Sequence, residues 1–477
     1  MRAGVWPRSE SDRQRNAHPL QLRHPPRVPS DTGAALPVDP YSPLRMTSNE
    51  RRPAPSDADR AATRLLAGRL GEPELGHLAR RLAILHESEA VDPKAARHAG
   101  PGALAARARA QRDEVLIVEA ESPQLAAALL SMADLQEGFV ATHPDWIQAR
   151  IDAQRIRAGA SDCHLENVWI DDDGNVTLGD DDSAAPRRSL PGRDGCVPVA
   201  GLSVDLASLG YPELAERLLG AYAGESDDYA LYRVVDYHQR DRGCARARDR
   251  LRAACAPEAK IAAREAAAAD ARRLLEFACA TARRPLPPVV VALGGLVASG
   301  KSTVARAIAG RMASPRIVGD HVRAFRMGAT PSHEATAAER LEGLEPGFDQ
   351  RVARAFFAAA ECVLDSGRAV VLDAGFPSAR RRAAARDLAQ RHGLAFRFVE
   401  CRVDEATARR RLAARDASPD EHGGWRAIYD AYLARWEPPG NDLAPGEHVV
   451  VDTTRPLAES LATIEARLPL WPQDLGA

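Results

Sequence analysis

The chain has 477 residues, and 64 Lys+Arg stand against 66 Asp+Glu, so no basic excess marks it as a general nucleic-acid-coating protein. Its 7 cysteines are scattered and form no C-x-x-C pair, which excludes a zinc ribbon or disulfide framework read from spacing and points to reduced thiols in the cytoplasm. No run of about 18 apolar residues occurs, so no membrane-spanning helix is expected.

Residues 1–57 are rich in Pro and Arg ("HPLQLRHPPRVPS", "LPVDPYSPLR") and poor in apolar periodicity. Such a segment buries too little surface to offset its ordering entropy, and disorder is expected there. Residues 58–281 read as mostly helical. "LGHLARRLAILHESEA" sets Leu75, Leu78, Leu82 and Leu85 on one helix face, and "PQLAAALLSMADLQEGFVA" follows the same period. The period then changes in "VWIDDDGNVTLGD", a strand, an Asp/Gly/Asn turn and a second strand, which predicts a hairpin. A polar loop follows (183–199), then more helix, including "ELAERLLGAYAG" and "DDYALYRVVDYHQRDRG". "ARRPLPP", residues 282–288, reads as a proline-stiffened linker to a last domain, 289–477.

That domain opens with "VVVALGGLVASGKSTVARAIAGRM". Val289–Leu293 predicts a strand buried on both faces, and Ala305, Ile308, Ala309 and Met312 recur at helical spacing. Between them lies Gly295-x-x-x-x-Gly300-Lys301-Ser302, the pattern of a phosphate-binding loop. Glycines let the backbone curl until its N–H groups converge, and a helix N-terminus adds partial positive charge there. Gly295, Ser299 and Gly300 are the candidate loop contacts. Lys301 is expected at the β- and γ-phosphates, Ser302 on Mg²⁺ and Thr303 at the α-phosphate, so ATP and Mg²⁺ are the implied cofactors.

Further strands are predicted in "RIVGD", ending at Asp320, in "AVVLDAGF", containing Asp373, and in "AFRFVEC" and "HVVVDTT". Helices are predicted between them, at 347–365, 378–391 and 404–415. This alternation predicts an α/β fold with a doubly wound parallel sheet whose site lies at the C-terminal strand ends. A carboxylate at Asp320 can take a proton from an attacking hydroxyl, and Asp373 can orient the water shell of Mg²⁺ beside Ser302. "DEATARRRLAARD" carries Arg410, Arg411 and Arg415; Arg411 and Arg415 are four apart, on one helix face, where a closing lid needs cations.

"GLVASGKSTVARAIA", "IVGDHVR", "VVLDAGFPSARRR" and "RRRLAARDASPD" resemble the P-loop small kinases that include polynucleotide kinase and gluconate kinase. The resemblance covers roughly 287–470. It implies Asp320 as catalytic base, Arg323 as a substrate contact, Arg382 as a phosphate contact, and Arg411 and Arg415 as lid residues. The acceptor is expected to be a small or nucleotide-like molecule bearing a hydroxyl. Its identity rests in loops such as 324–346 and is not legible, and neither is the oligomeric state.

"SDCHLENVWIDDDGNVTLGDDD" resembles the catalytic loop and metal-binding aspartate of aminoglycoside phosphotransferases, which share the protein-kinase-like fold. That implies a kinase-like C-lobe in which Asp162 orients the acceptor and Asn167 and Asp180 hold Mg²⁺. Asp205 and Leu206 resemble the family's later helix. Two departures point to a degenerate site: Ala160-Ser161 stand where the family has His-Gly, and no lysine occurs before Lys94 to build a nucleotide-binding N-lobe. The pairing of halves resembles a bacterial group of bifunctional phosphotransferase/ATP-binding proteins, and a misassigned start is one expectation the Pro/Arg-rich opening raises. Two alternatives stay open: a regulatory or scaffold ATPase without an acceptor, and aminoglycoside phosphotransfer by the N-terminal half.

Overall fold

The computed structural model describes residues 56–89, 91, 96–119, 123–157, 163–179, 193–256, 258–280, 289–328, 337–417 and 424–467. The disorder expected for 1–57 and the linker 282–288 lie outside them, apart from residues 56 and 57.

The helical region runs α1 (Ala61–Leu66), α2 (Glu72–Ser88), α3 (Pro101–Glu119), α4 (Pro123–Thr142) and α5 (Pro144–Asp152). In α2, Leu75, Leu78 and Leu82 are buried at i, i+3, i+7 spacing, while Leu85 is half-buried. Its start is fixed by Glu74, whose Oε2 accepts the Gly71 N–H at 2.8 Å. β1 (Ile156–Arg157) pairs antiparallel with β4 (Arg193–Asp194). The expected hairpin is β2 (Val168–Ile170) and β3 (Val176–Leu178), joined by an Asp/Gly/Asn turn in which Gly174 takes φ 83°. α6 (Cys196–Ser208), α7 (Pro212–Ser226), α8 (Tyr232–Ala254) and α9 (Ile261–Ala280) follow. α6 is apolar nearly all round and forms the centre of this region's core.

The rest is the doubly wound α/β unit. β5 (Val289–Gly294) is followed by α10 (Lys301–Arg311), β6 (Arg316–Val318), α11 (Gly319–Arg326) and α12 (Ala337–Glu342). α13 (Pro346–Asp365), β7 (Val370–Asp373), α14 (Ala379–Arg391) and β8 (Ala395–Arg402) come next. α15 (Glu405–Asp416), α16 (Trp425–Leu433), β9 (His448–Asp452) and α17 (Leu457–Glu465) complete it. The sheet is wholly parallel in the order β6-β7-β5-β8-β9. Alternate residues of β5 serve opposite layers: Val290 and Ala292 pack with Phe356 and Leu388, while Val289, Val291 and Leu293 pack with Ile308 and Ile464. The first of those layers continues without a break into the helical region, through Leu218, Leu219 and Tyr232.

The predicted strand ending at Asp320 stops two residues early. Gly319 opens α11, so Asp320 sits in a first helical turn, where a carboxylate faces the positive end of the helix dipole. α16 and α17 were not expected from the sequence. Among the described residues no helix is long and apolar enough to cross a membrane, and no cluster of His, Cys, Asp and Glu is placed to hold a metal ion. Cys196, Cys362 and Cys401 are buried free thiols.

Candidate active site

The loop between β5 and α10 is shaped by its glycines. Gly295 (φ 143°) and Gly300 (φ 80°) take left-handed backbone angles, and a Cβ on Gly295 would come 2.5 Å from the Cys401 carbonyl oxygen. Ala298 also has positive φ, 63°, an uncommon state for a side-chain-bearing residue that the surroundings must hold. They do so through hydrogen bonds. Arg411 Nη1 donates to the Ala298 carbonyl at 3.1 Å, Arg411 Nη2 to the Thr453 carbonyl at 2.8 Å, and Thr453 Oγ1 to the Ser299 carbonyl at 2.7 Å. The Gly295 N–H donates to the Gly375 carbonyl at 3.1 Å, which ties the loop to the end of β7.

Ser302, in the first turn of α10, donates its hydroxyl to Asp373 Oδ1 at 3.2 Å. Asp373 closes β7, next to β5, and is 3% exposed. Burial pushes its carboxyl pKa up, against the pull of Arg316 and Lys301. Arg316 Nη1 reaches Asp373 Oδ2 at 3.2 Å and the Ser302 carbonyl at 3.4 Å.

These residues fit a phosphate and a hard divalent cation. Ser299 is 1% exposed, and its Oγ has no hydrogen-bond partner among the described residues, an orphan within the loop itself. A hydroxyl paired with a buried strand-end carboxylate is an all-oxygen donor set of the kind Mg²⁺ takes. Lys301 and the N-terminal amides of α10 supply positive charge beside it.

A cavity of 650 Å³ opens over the loop. Gly300, Lys301, Ser302, Thr303 and Asp373 line one side, and Asp320 and Arg323 another. Arg411 and Arg415, from α15, close a third; Arg415 stacks 3.7 Å above the Trp425 ring of α16. Away from the loop, Asp349 accepts from Arg323 Nη2 at 3.1 Å and from Arg381 Nη2 at 2.6 Å, beside an apolar wall of Val352, Phe356 and Phe376. Arg323 also donates to the Gly343 carbonyl.

Not every expected residue arrives there. Arg382 is 1% exposed and spends its donors inside the domain, on Asp442 Oδ2 at 2.6 Å and the Glu437 and Phe376 carbonyls. It faces the sheet over Phe398, and its neighbour Arg381, about 100° round the same helix, is the one that lines the cavity. Arg410 donates to Thr407 on its own helix. In the helical region Asp162 and Asp180 lie outside the described residues. Asn167 Oδ1 accepts the His164 N–H at 2.7 Å, so this side chain caps its own turn. Asp205 accepts the Leu165 N–H at 3.0 Å and pairs with Arg246, bracing the same loop.

Sequence reasoning did not single out Arg316, Asp349, Arg381 or Thr453. "ARRR" gave no means of choosing one arginine, and Thr453 follows β9 as an ordinary strand-end residue.

A family model described as an AAA domain matches residues 290–439. The curated proteins give no match. Among solved structures, the chain is similar to a gluconokinase from Sinorhizobium meliloti 1021, at 22% identity and TM-score 0.28, over 39% of this chain and 93% of that one. It is also similar to the Mycobacterium tuberculosis APS kinase CysC in complex with AMPPNP and APS, at 23% identity and TM-score 0.26, over 38% and 97% of the two chains. A sugar kinase from Janibacter sp. HTCC2649 is similar at 16% identity and TM-score 0.31, over 39% and 97%.

Proposed function

We propose that the 289–477 domain is an ATP- and Mg²⁺-dependent kinase that transfers the γ-phosphoryl group to a hydroxyl of a small or nucleotide-like molecule. The domain plan, a helical phosphotransferase-like lobe (58–281) joined to it by the linker 282–288, is part of the same reading. That lobe carries no second working kinase site. A cytoplasmic place of action accords with cysteines that are scattered and form no C-x-x-C pair.

One observation carries this reading. Ser302 of the glycine loop bonds Asp373 at a strand end, in the same cavity that Asp320 and the α15 arginines line. Lys301 and the loop amides would hold the terminal phosphates, and Ser302 with Asp373 would hold the cation. Bound there, Mg²⁺ would supply neutralisation of the phosphate charge. Asp320, exposed at the cavity edge, takes the acceptor's proton as the acceptor oxygen attacks the γ-phosphorus and the bond to the β,γ-bridging oxygen breaks, releasing ADP. Arg411, fixed to Ala298 and Thr453, and Arg415, one turn further on, stabilise charge on the transferring group. Arg323 and Arg381, held by Asp349, orient the acceptor against the apolar wall.

The test is a metabolite-pool phosphorylation screen with γ-labelled ATP, comparing the wild type with Lys301→Ala. A labelled small molecule made by the wild type and missing with the variant is the expected result. Hydrolysis to water alone, across sugars, antibiotics and polynucleotide ends, would replace the kinase assignment with an acceptor-free ATPase.

A further inference from the structure

β6 and α11 carry Asp320 toward the active-site cavity and lean, at their back, on the helical region. β6 spans Arg316–Val318, and among the described strands it pairs with β7 alone. An edge strand that short holds its place weakly by itself. What covers it is the end of α7 and the turn that follows. Asp227 ends α7 with φ 48°, and its carboxylate pairs with Arg326 in the last turn of α11. Gly224 faces His321, where a Cβ would sit 3.6 Å from Nδ1. Tyr229, 4% exposed, lies against Val318.

Between these contacts is a second cavity of 530 Å³, lined by Arg217, Glu225, Tyr229, Arg316, Val318 and His321. The back of this segment is therefore not packed solid, and discrete tethers hold it. At its front, Arg316 bonds Asp373 and the Ser302 carbonyl, while Val318, Gly319, Asp320 and Arg323 face the active-site cavity. One short element thus touches the metal-side aspartate, the candidate base and the helical region together.

We propose that the helical region positions the catalytic aspartate: the Asp227–Arg326 pair, acting through α11, sets Asp320 against the phosphate loop. Asp227 and Arg326 are positioning residues, and neither is among the described residues lining the active-site cavity. The consequence for catalysis rests on the kinase reading above; the mechanical coupling does not.

The test uses the full chain. Asp227→Asn removes the charge and keeps a residue that tolerates a left-handed backbone, Arg326→Gln removes the other charge, and Arg326→Lys keeps it. Hydrogen–deuterium exchange across 316–326 is expected to quicken about threefold in Asp227→Asn and in Arg326→Gln, with β5 unchanged. Arg326→Lys should exchange as the wild type does, and the double variant no faster than either single. ATP turnover should fall by a similar factor with calorimetric nucleotide affinity unaltered. Unchanged exchange in the single variants, an additive double variant, or quickened exchange with full turnover would each overturn the inference. Coupled exchange in a protein whose wild type turns over no ATP would leave the tether standing and remove the kinase assignment of Asp320.

Discussion

The helical region and the α/β unit both bury charged and polar side chains, yet they spend them differently. In the helical region Arg150 donates to both oxygens of Asp194, at 2.8 and 2.7 Å, and to Asp228, and all three residues are buried. Arg246 is likewise committed to Asp205 and to the Gly201 and Cys163 carbonyls. Asn167, the described member of that region's motif, caps its own turn. In the α/β unit the Ser299 hydroxyl is unspent among the described residues, and Lys301 and Asp320 open into one large cavity. Motif letters alone do not distinguish these cases; what separates them is that Ser299, Lys301 and Asp320 gather at one large cavity, whereas Arg150 and Arg246 are committed to buried partners.

The comparison can be broken first at the loop. Lys301→Ala should lower ATP turnover by about 10³-fold, the scale of a lost charge at a developing anion, with the fold kept by circular dichroism. On the helical side Arg150→Ala strands Asp194 and leaves Asp228 only the more distant Arg155, at 3.8 Å, and urea unfolding should show a loss of about 3–5 kcal/mol. Asp320→Asn should cut phosphoryl transfer by about 10²-fold or more while calorimetric ATP affinity holds. If transfer survives, Asp320 is not the base.

A pH experiment sharpens the same contrast. Burial depresses the His86 pKa from 6.5 to about 4, with Nδ1 set 2.9 Å from the Tyr222 hydroxyl. The unfolded chain therefore binds the extra proton first. The stability from keeping His86 neutral is complete above pH 6.5 and is lost as pH falls toward 4. Burial lowers His238 in the same direction. Unfolding free energies from urea titrations at pH 7 and pH 4.5 should differ by about 2–3 kcal/mol from His86 alone, and His86→Gln should flatten that dependence. The smallest effect belongs to Asp162→Ala, which should leave ATP turnover at the wild-type rate; a clear drop would return catalysis to the helical half.

Much of the α/β unit was legible because its signals are local. A fully buried β5 reads as a β-branched run, and the glycine spacing announces the loop that Gly295 and Gly300 make. Asp373 was readable because parallel strands end in register at one edge. The choice between Arg381 and Arg382 was not, since the rotation of α14 about its axis is set by packing on Phe398 and Asp442. Nor was the seam between regions. Arg368 is buried against Glu216 and Asp236, more than a hundred positions away, and no periodicity marks such partners. α16 escaped notice because its short apolar face, Ile428 and Tyr429, packs on α15 and the phosphate loop and not on the main sheet core.

Nucleotide binding by the 477-residue chain is the claim on which the kinase reading stands. Titration calorimetry with ATP and Mg²⁺ should give saturable association for the wild type, lost in Lys301→Ala. Absence of heat from the wild type at millimolar nucleotide would contradict it.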